Sequence, residues 1–370
     1  LTDNPGILLT IVAFLLLLGP LVFVHEMGHY LAGRWCGVKA DAFSIGFGKE
    51  IAGWTDKRGT RWKIGLLPLG GYVQFAGDMD PASRADPDWL ALPDKERNQT
   101  FQSKSLGQRA FIVFAGPAIN FIAAILIFAG LALVNGQPVT PAIVENVLPD
   151  YPSAQVFEPG DKITAIDGRQ VEVLPDVSQY ITYHPGRDVR ITFERDGVSQ
   201  TIDYTIAAEK FRDRFGNEFS RGVIGFDPVD PEYQPIEFWE APIVGVNATI
   251  DTLENMITGL GQIITGVRSV RELGGPLKIA QISGEWLNAG IEPFIVLIAL
   301  ISINLGFINL LPIPMLDGGH LMFYGIEAVR RKPTDAAVQE WAFRMGLVLV
   351  LCFMVFVTVN DLVSFGLLGR

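Results

Sequence analysis

Five residues near the start of the chain carry its clearest chemical signal: His25-Glu26-Met27-Gly28-His29. On a helix, residues four apart share a face, so His25 and His29 can offer two imidazoles to one Zn²⁺. Glu26 adjoins the first of them and can reach a water at the metal. Zinc lowers the pKa of such a water towards ~7, and a carboxylate then takes its proton as it attacks a carbonyl. The chemistry expected is peptide hydrolysis, with Zn²⁺ as cofactor, His25 and His29 as ligands and Glu26 as general base.

Catalytic zinc needs a third protein ligand. The remaining histidines are His184 and His320. The charge pattern described below puts His184 on the wrong side of a membrane. Trp35 stands where the extended form of the motif would carry a third histidine. Glu50 is at a workable distance along the chain, but it sits in Gly48-Lys49-Glu50, amid strand-like residues. Asp317 is the better candidate. It closes the run Asn309-Leu310-Leu311-Pro312-Ile313-Pro314-Met315-Leu316-Asp317, where two prolines interrupt helix and an acid beside an apolar span can approach a metal from a neighbouring helix. The rival reading of Asp317 is a cap for the next helix. Asn309 can hydrogen-bond a substrate backbone or a developing oxyanion.

The elements that must hold these residues are apolar. Hydrophobic residues make up 49% of the 370, and they concentrate in 7–24, 110–134, 293–311 and 346–359. A bilayer core takes roughly 20 helical residues, so each run, with its flanks, reads as a membrane span. Imidazoles and a carboxylate at the inner end of a span are costly to bury unless they have a task. The run at 7–24 has the look of a cleavable signal peptide, but its removal would destroy the motif at its end.

The formal net charge of −11 matters less than its distribution. Lysines and arginines crowd into 30–109 and into Arg330-Arg331-Lys332, while 136–291 is acidic. The positive-inside tendency puts 30–109 and 312–340 in the cytoplasm, and 136–291 and both chain ends outside. The pattern carries no nucleic-acid footprint. Cys36 and Cys352 then fall on the cytoplasmic side and within a span, where no disulfide is expected.

Residues 41–78 read as strands. Within them 62–75 resembles a hairpin turning at 68–71, apolar enough to dip into a membrane if protein covers it. Residues 79–98 read as a polar linker. Between the second and third spans, 141–206 has the punctuation of a small β-rich domain. Strands are expected at 142–147, 163–166, 189–194 and 201–206, a helix at 176–183, and tight turns at Asp167-Gly168 and Asp196-Gly197. Residues 236–270 follow, with Ile243, Val246, Ile250, Leu253, Ile257, Leu260 and Ile264 at spacings of three and four, the period of an amphipathic helix that lies on the membrane surface, packs against the spans or packs on the β-rich domain.

Together His25-Glu26-Met27-Gly28-His29 and the Asn309–His320 run resemble the site-2 proteases, zinc enzymes that cleave within membranes. The likeness is to the bacterial branch that regulates the sigma-E response. Three further stretches carry it: 43–49, 68–73, and 104–109 leading to Ala115-Gly116-Pro117 and Asn120. The resemblance spans almost the whole chain. It implies that His25, His29 and Asp317 bind zinc, that Glu26 is the base, and that Asn309 assists at the substrate. It also implies substrate contacts at Gly70, Gly71, Tyr72 and Val73 in a membrane-re-entrant hairpin, and at Pro312 and Pro314. Glu158-Pro159-Gly160-Asp161-Lys162-Ile163 and Ile166-Asp167-Gly168 resemble bacterial PDZ domains. The best-known members of this branch carry two such domains in tandem, whereas this chain has room for one.

The fold expected is therefore a polytopic α-helical membrane protein. It has four transmembrane helices, a membrane-associated β hairpin and one inserted PDZ-like β-rich domain. Residues 1–135 form the first half of the membrane domain, with spans near 7–30 and 108–134. The PDZ-like domain takes 136–230, an amphipathic helical segment 231–291, and the second membrane half 292–370, with spans near 292–312 and 341–366. The setting expected is the bacterial inner membrane, with the PDZ-like domain in the periplasm and the active site near the cytoplasmic side. The expected partners are the lipid bilayer and a single-span substrate. That substrate is an anti-sigma factor already trimmed outside the membrane, or a remnant signal peptide. Two other classes compete. A PDZ-bearing receptor or scaffold with a structural zinc would need no base, so Glu26 speaks for the enzyme. A zinc transporter would carry polar residues midway through several spans.

Overall fold

The computed structural model describes residues 6–78, 92–182, 184–212, 218–229, 232–265 and 274–364. In chain order the elements begin with α1 (Ile7–Trp35), β1 (Ala40–Thr55), β2 (Arg61–Phe75), α2 (Asp94–Arg97) and α3 (Leu106–Asn135). A β-rich stretch follows: β3 (Gln137–Val139), β4 (Val144–Val147), β5 (Lys162–Ile166), β6 (Arg169–Gln170), α4 (Leu174–Thr182), β7 (Asp188–Arg195), β8 (Val198–Thr205), β9 (Ala207–Arg212), β10 (Glu218–Val223), β11 (Phe226–Pro228) and β12 (Glu232–Gln234). Helices close the chain: α5 (Ala241–Ile264), α6 (Pro276–Ala289), α7 (Ile291–Leu310), α8 (Asp317–Arg330) and α9 (Ala336–Ser364). Two compact units result, one of 1–129, 245–261 and 270–370, the other of 130–244 and 262–269.

In the first unit α1, α3, α7 and most of α9 are long and apolar enough to cross a membrane. Their outward residues stay bare: Leu8, Leu15 and Leu16 on α1, and Leu347, Leu349, Phe353 and Val355 on α9, are exposed. Apolar surface on this scale is what lipid solvates and water does not. The inward residues are small or interlocked. Ala13, Leu17 and Leu21 of α1 meet Phe294 and Leu297 of α7, with Ile279, Ile282 and Trp286 of α6 against them. Sequence periodicity did not separate α6 from α5. Its fully buried residues are Ser283 and Gly284, and its apolar stripe, Ile279, Ile282 and Trp286, is short. It packs on the middle of α1.

The hairpin differs from the expected one. Its chain reversal lies between β1 and β2, at Asp56-Lys57-Arg58-Gly59, and 68–71 lies inside β2. Asp56 makes the turn: its Oδ1 accepts the Arg58 and Thr60 N–H at 2.8 and 3.0 Å, and its Oδ2 accepts the Trp62 indole N–H at 3.0 Å. Gly59 supplies the positive φ of 84°. The register is irregular, so that residues 40–45 lie beside 71–75 and also beside 61–64. Phe43, sandwiched by Trp62 and Tyr30, anchors the hairpin to α1. Most of the expected linker at 79–98 lies outside the described residues, and α2 occupies its end.

The second unit centres on a sheet of order β6-β5-β7-β8. Its strands and tight turns fall at the expected positions, with positive φ at Asp167, Gly168, Asp196 and Gly197. The core comprises Phe157, Ile163, Ile166, Val177, Ile181, Ile191, Phe193 and Tyr204, each large side chain worth ~1.5–3 kcal/mol of burial. The unit continues past 206. β11 pairs with β4, and β12 with β3, so 226–234 completes it.

Candidate metal centre and active site

α1 carries His25, Glu26 and His29 on buried or half-buried positions. α3 packs tightly beside them because Gly28 and Gly116 lack side chains. A Cβ on Gly28 would overlap the Ala115 carbonyl, and one on Gly116 would overlap the His29 ring at Nε2. That approach brings two α3 groups onto the histidines. His29 Nδ1 lies 2.9 Å from the Ile112 carbonyl, which as an acceptor fixes the proton on Nδ1 and leaves the Nε2 lone pair free. His25 Nδ1 lies 3.0 Å from the Asn120 side-chain amide. Asn120 is fully buried, and its Oδ1 is without a hydrogen bond as placed. With the amide turned so that Oδ1 faces His25, Oδ1 accepts the Nδ1–H and the His25 Nε2 lone pair stays free. The Asn120 backbone carbonyl accepts the Ser302 hydroxyl of α7 at 2.8 Å, so α3 links a histidine to the third span.

Asp317 arrives from the other end of the sequence. After α7 the chain breaks at the two prolines, and Met315 adopts φ 87°, a conformation costly for a residue with a side chain. α8 then starts at Asp317 with Leu316 at its cap position and no side-chain cap bond, so the capping reading does not describe Asp317. Its Oδ2 instead lies 3.3 Å from His25 Nε2 and 3.5 Å from His29 Nε2. That oxygen is buried and makes no hydrogen bond. Ligands about 2.0–2.1 Å from a tetrahedral ion stand roughly 3.3–3.4 Å apart, and two imidazoles with one carboxylate is a catalytic zinc donor set with one position open. The three side chains therefore fit zinc. Among the described residues they form the one cluster able to hold a metal. Glu50 is elsewhere, exposed on β1 and ion-paired to Arg61.

The cluster opens on a cavity of about 590 Å³. Glu26, Asn309, Gly70, Gly71, Tyr72 and Val73 all line it. Gly71 lies against Glu26 and Val22, where a Cβ would come within 2.9 Å of Glu26 Cγ. Pro312 and Pro314 are not on the wall. Pro314 instead backs onto Gly346 of α9, so the prolines shape the turn that delivers Asp317. Two features escaped sequence reasoning. One is the Asn120 contact, known only as a motif letter. The other is an ion pair 218 residues apart in sequence, Arg109 of α3 with Glu327 of α8 at 3.1 Å, with the guanidinium 5.1 Å from the Tyr324 ring centroid. His184, just past α4, bonds the Tyr180 carbonyl of that helix.

A family model described as peptidase family M50 matches residues 13–353. The chain belongs to peptidase family M50. Curated relatives agree over nearly full length. A putative zinc metalloprotease of Agrobacterium fabrum is 44% identical over 96% of both chains. Another, of Mesorhizobium japonicum, is 42% identical over 95% of this chain and 98% of its own. The metalloprotease MmpA of Caulobacter vibrioides is 35% identical over 96% of both. Among solved structures, the PDZ domain of an SdrC-like protein from Listeria monocytogenes is 27% identical, with TM-score 0.21, over 24% of this chain and 88% of that one. This M50 protein is thus a zinc metalloendopeptidase. Among the described residues four helices are long and apolar enough to cross a membrane, and the chain is a membrane protein.

Proposed function

We propose that this M50 enzyme hydrolyses a peptide bond inside the transmembrane segment of a single-span protein, at a centre held by His25, His29 and Asp317. The observation that carries the reading is the buried, unbonded Asp317 Oδ2 facing both Nε2 atoms, on helices whose outer faces are apolar. Zinc bound there supplies a Lewis acid for the peptide oxygen and acidifies the attacking water. Glu26 accepts the proton of that water and returns it to the departing nitrogen. Asn309 hydrogen-bonds the substrate at the scissile bond. Gly70–Val73 hold the substrate as an extended strand, since a peptide bond inside an intact helix is shielded from attack.

The substrate class follows from the resemblance: an anti-sigma factor trimmed outside the membrane, or a remnant signal peptide, in the bacterial inner membrane. The basic segments support a cytoplasmic side for 30–109 and 312–340. The β-rich unit acts as an outer PDZ-like filter that rejects substrates with a bulky outer domain. The unit's strand pairing makes 136–235 the piece to delete in testing this. The filter reading expects that variant to cut the untrimmed substrate as well.

The reading is tested with the detergent-solubilised protein, a single-span substrate and a zinc chelator. Chelation should abolish cleavage and added zinc restore it. Asp317→Ala should lose bound zinc and Glu50→Ala should keep it. Cleavage unchanged by complete zinc removal would sink the reading.

A further inference from the structure

His320 stands in the same cavity and the proposed chemistry gives it no role. It lines the wall together with Glu26, Asn309 and Asp317. Asp317, His320, Tyr324 and Glu327 recur at spacings of three, four and three, so they share one face of α8. That face is held at both ends. At the C-terminal end Glu327 pairs with Arg109. At the N-terminal end Gly318 and Gly319 press the opposite side onto the preceding turn: a Cβ on either would overlap the carbonyls of Leu310, Leu311 or Ile313. The imidazole rests on Phe343 of α9, ring centroids 4.7 Å apart. Among the described residues neither ring nitrogen makes a hydrogen bond. The ring nitrogens are not sealed off by protein, and the imidazole lines the cavity where a substrate would lie.

We propose that His320 is a catalytic residue of this site, donating its ring N–H to the peptide oxygen as that oxygen gains charge. This rests on the reading of the site given above. Water adds through oxygen to the carbonyl carbon and gives its proton to Glu26. The former carbonyl oxygen takes the negative charge and accepts the His320 hydrogen bond. The C=O bond re-forms as the C–N bond breaks, Glu26 passes the proton to nitrogen, and a carboxylic acid and an amine remain. A donor aimed at such an oxygen in a site shielded from water contributes about 10²–10³ in rate. A position one helical turn from Asp317 would let one short helix deliver both a metal ligand and this donor.

The test compares His320→Ala and His320→Gln with wild type in detergent, measuring bound zinc, kcat and KM on a single-span substrate. His320→Ala should retain zinc and KM and lose about 100-fold or more in kcat. His320→Gln keeps an N–H donor and should recover at least about tenfold of that loss. Loss of zinc in step with activity in both variants would make His320 a structural or ligating residue and overturn the proposal. So would a kcat within about threefold of wild type in His320→Ala, or a rise in KM alone. Glu26→Gln is run alongside: if it cuts like wild type, the underlying site reading falls, and the donor role with it. If Glu26→Gln is dead while His320→Ala is fully active, only the donor role falls.

Discussion

The side-chain amide of Asn120 lies 3.0 Å from Nδ1 of His25, and it comes from a different helix. The contact orients the imidazole so that Nε2 faces Asp317. Outer partners of this kind typically tune metal affinity 10–100-fold. Asn120→Ala should therefore weaken zinc binding by about that factor, read by competition against a chelator of known affinity. Wild-type affinity in that variant would show that the contact does not orient the ligand.

Gly116 tests how close α3 must come. A methyl group there would overlap the His29 ring, whereas a Cβ on Gly130 of the same helix meets nothing within 4 Å. Gly116→Ala should reduce bound zinc and activity severely. Gly130→Ala should be neutral or stabilising by about 1 kcal/mol, the helix-propensity gain. Metal content and thermal unfolding of the two variants make the comparison. Equal behaviour would contradict the packing described.

The Arg109–Glu327 pair sets α8 against α3 at the far end of the helix that begins with Asp317. Both side chains are about four-fifths buried, so removing one partner strands the other's charge. Glu327→Arg alone should cut zinc affinity by on the order of tenfold through displacement of Asp317. The double exchange Arg109→Glu/Glu327→Arg should recover most of it. Two single variants whose losses simply add would rule out the coupling.

In the β-rich unit, Asp161 is 1% exposed. Burial opposes its charge, but Arg195 donates from Nε and Nη2 at 2.7 and 2.6 Å and the Glu158 N–H adds a third bond at 2.8 Å. The net effect holds its carboxyl below the usual carboxylate range. A carboxyl depressed in the fold stabilises above its unfolded pKa of about 4, and that stability disappears as pH falls through the lower folded value. Pepsin nicking between 156 and 166 in the full-length protein should be slow at pH ~5 and rise towards pH ~2–3. Arg195→Gln should be nicked on the order of tenfold faster already at pH ~5. Identical profiles for the two proteins would refute the assignment.

Legibility in the sequence followed range. His25, Glu26 and His29 lie within one helical turn and a half, so spacing alone put them on one structure. Asp317 could be read because prolines and an apolar run mark its turn. Asn120 and Arg109 could not, because their partners are 95 and 218 residues away and no local pattern encodes the rotation of α3. The four apolar helices followed from hydropathy. The hairpin turn was misplaced because Pro68-Leu69-Gly70-Gly71 is a stronger turn signal than Asp56-Lys57-Arg58-Gly59. What decides it is Asp56 bonding Arg58, Thr60 and Trp62, which only the folded chain displays. α6 escaped because its apolar stripe, Ile279, Ile282 and Trp286, spans only two turns and follows directly on a longer amphipathic run.

The central claim is that the His25, His29 and Asp317 cluster holds the zinc of a peptide hydrolase whose base is Glu26. It is met most directly by Glu26→Gln, assayed for bound zinc and for cleavage of a single-span substrate in the same preparation. The account expects full zinc occupancy with cleavage reduced by at least about 10³-fold. Cleavage near the wild-type rate by the zinc-loaded variant would contradict it.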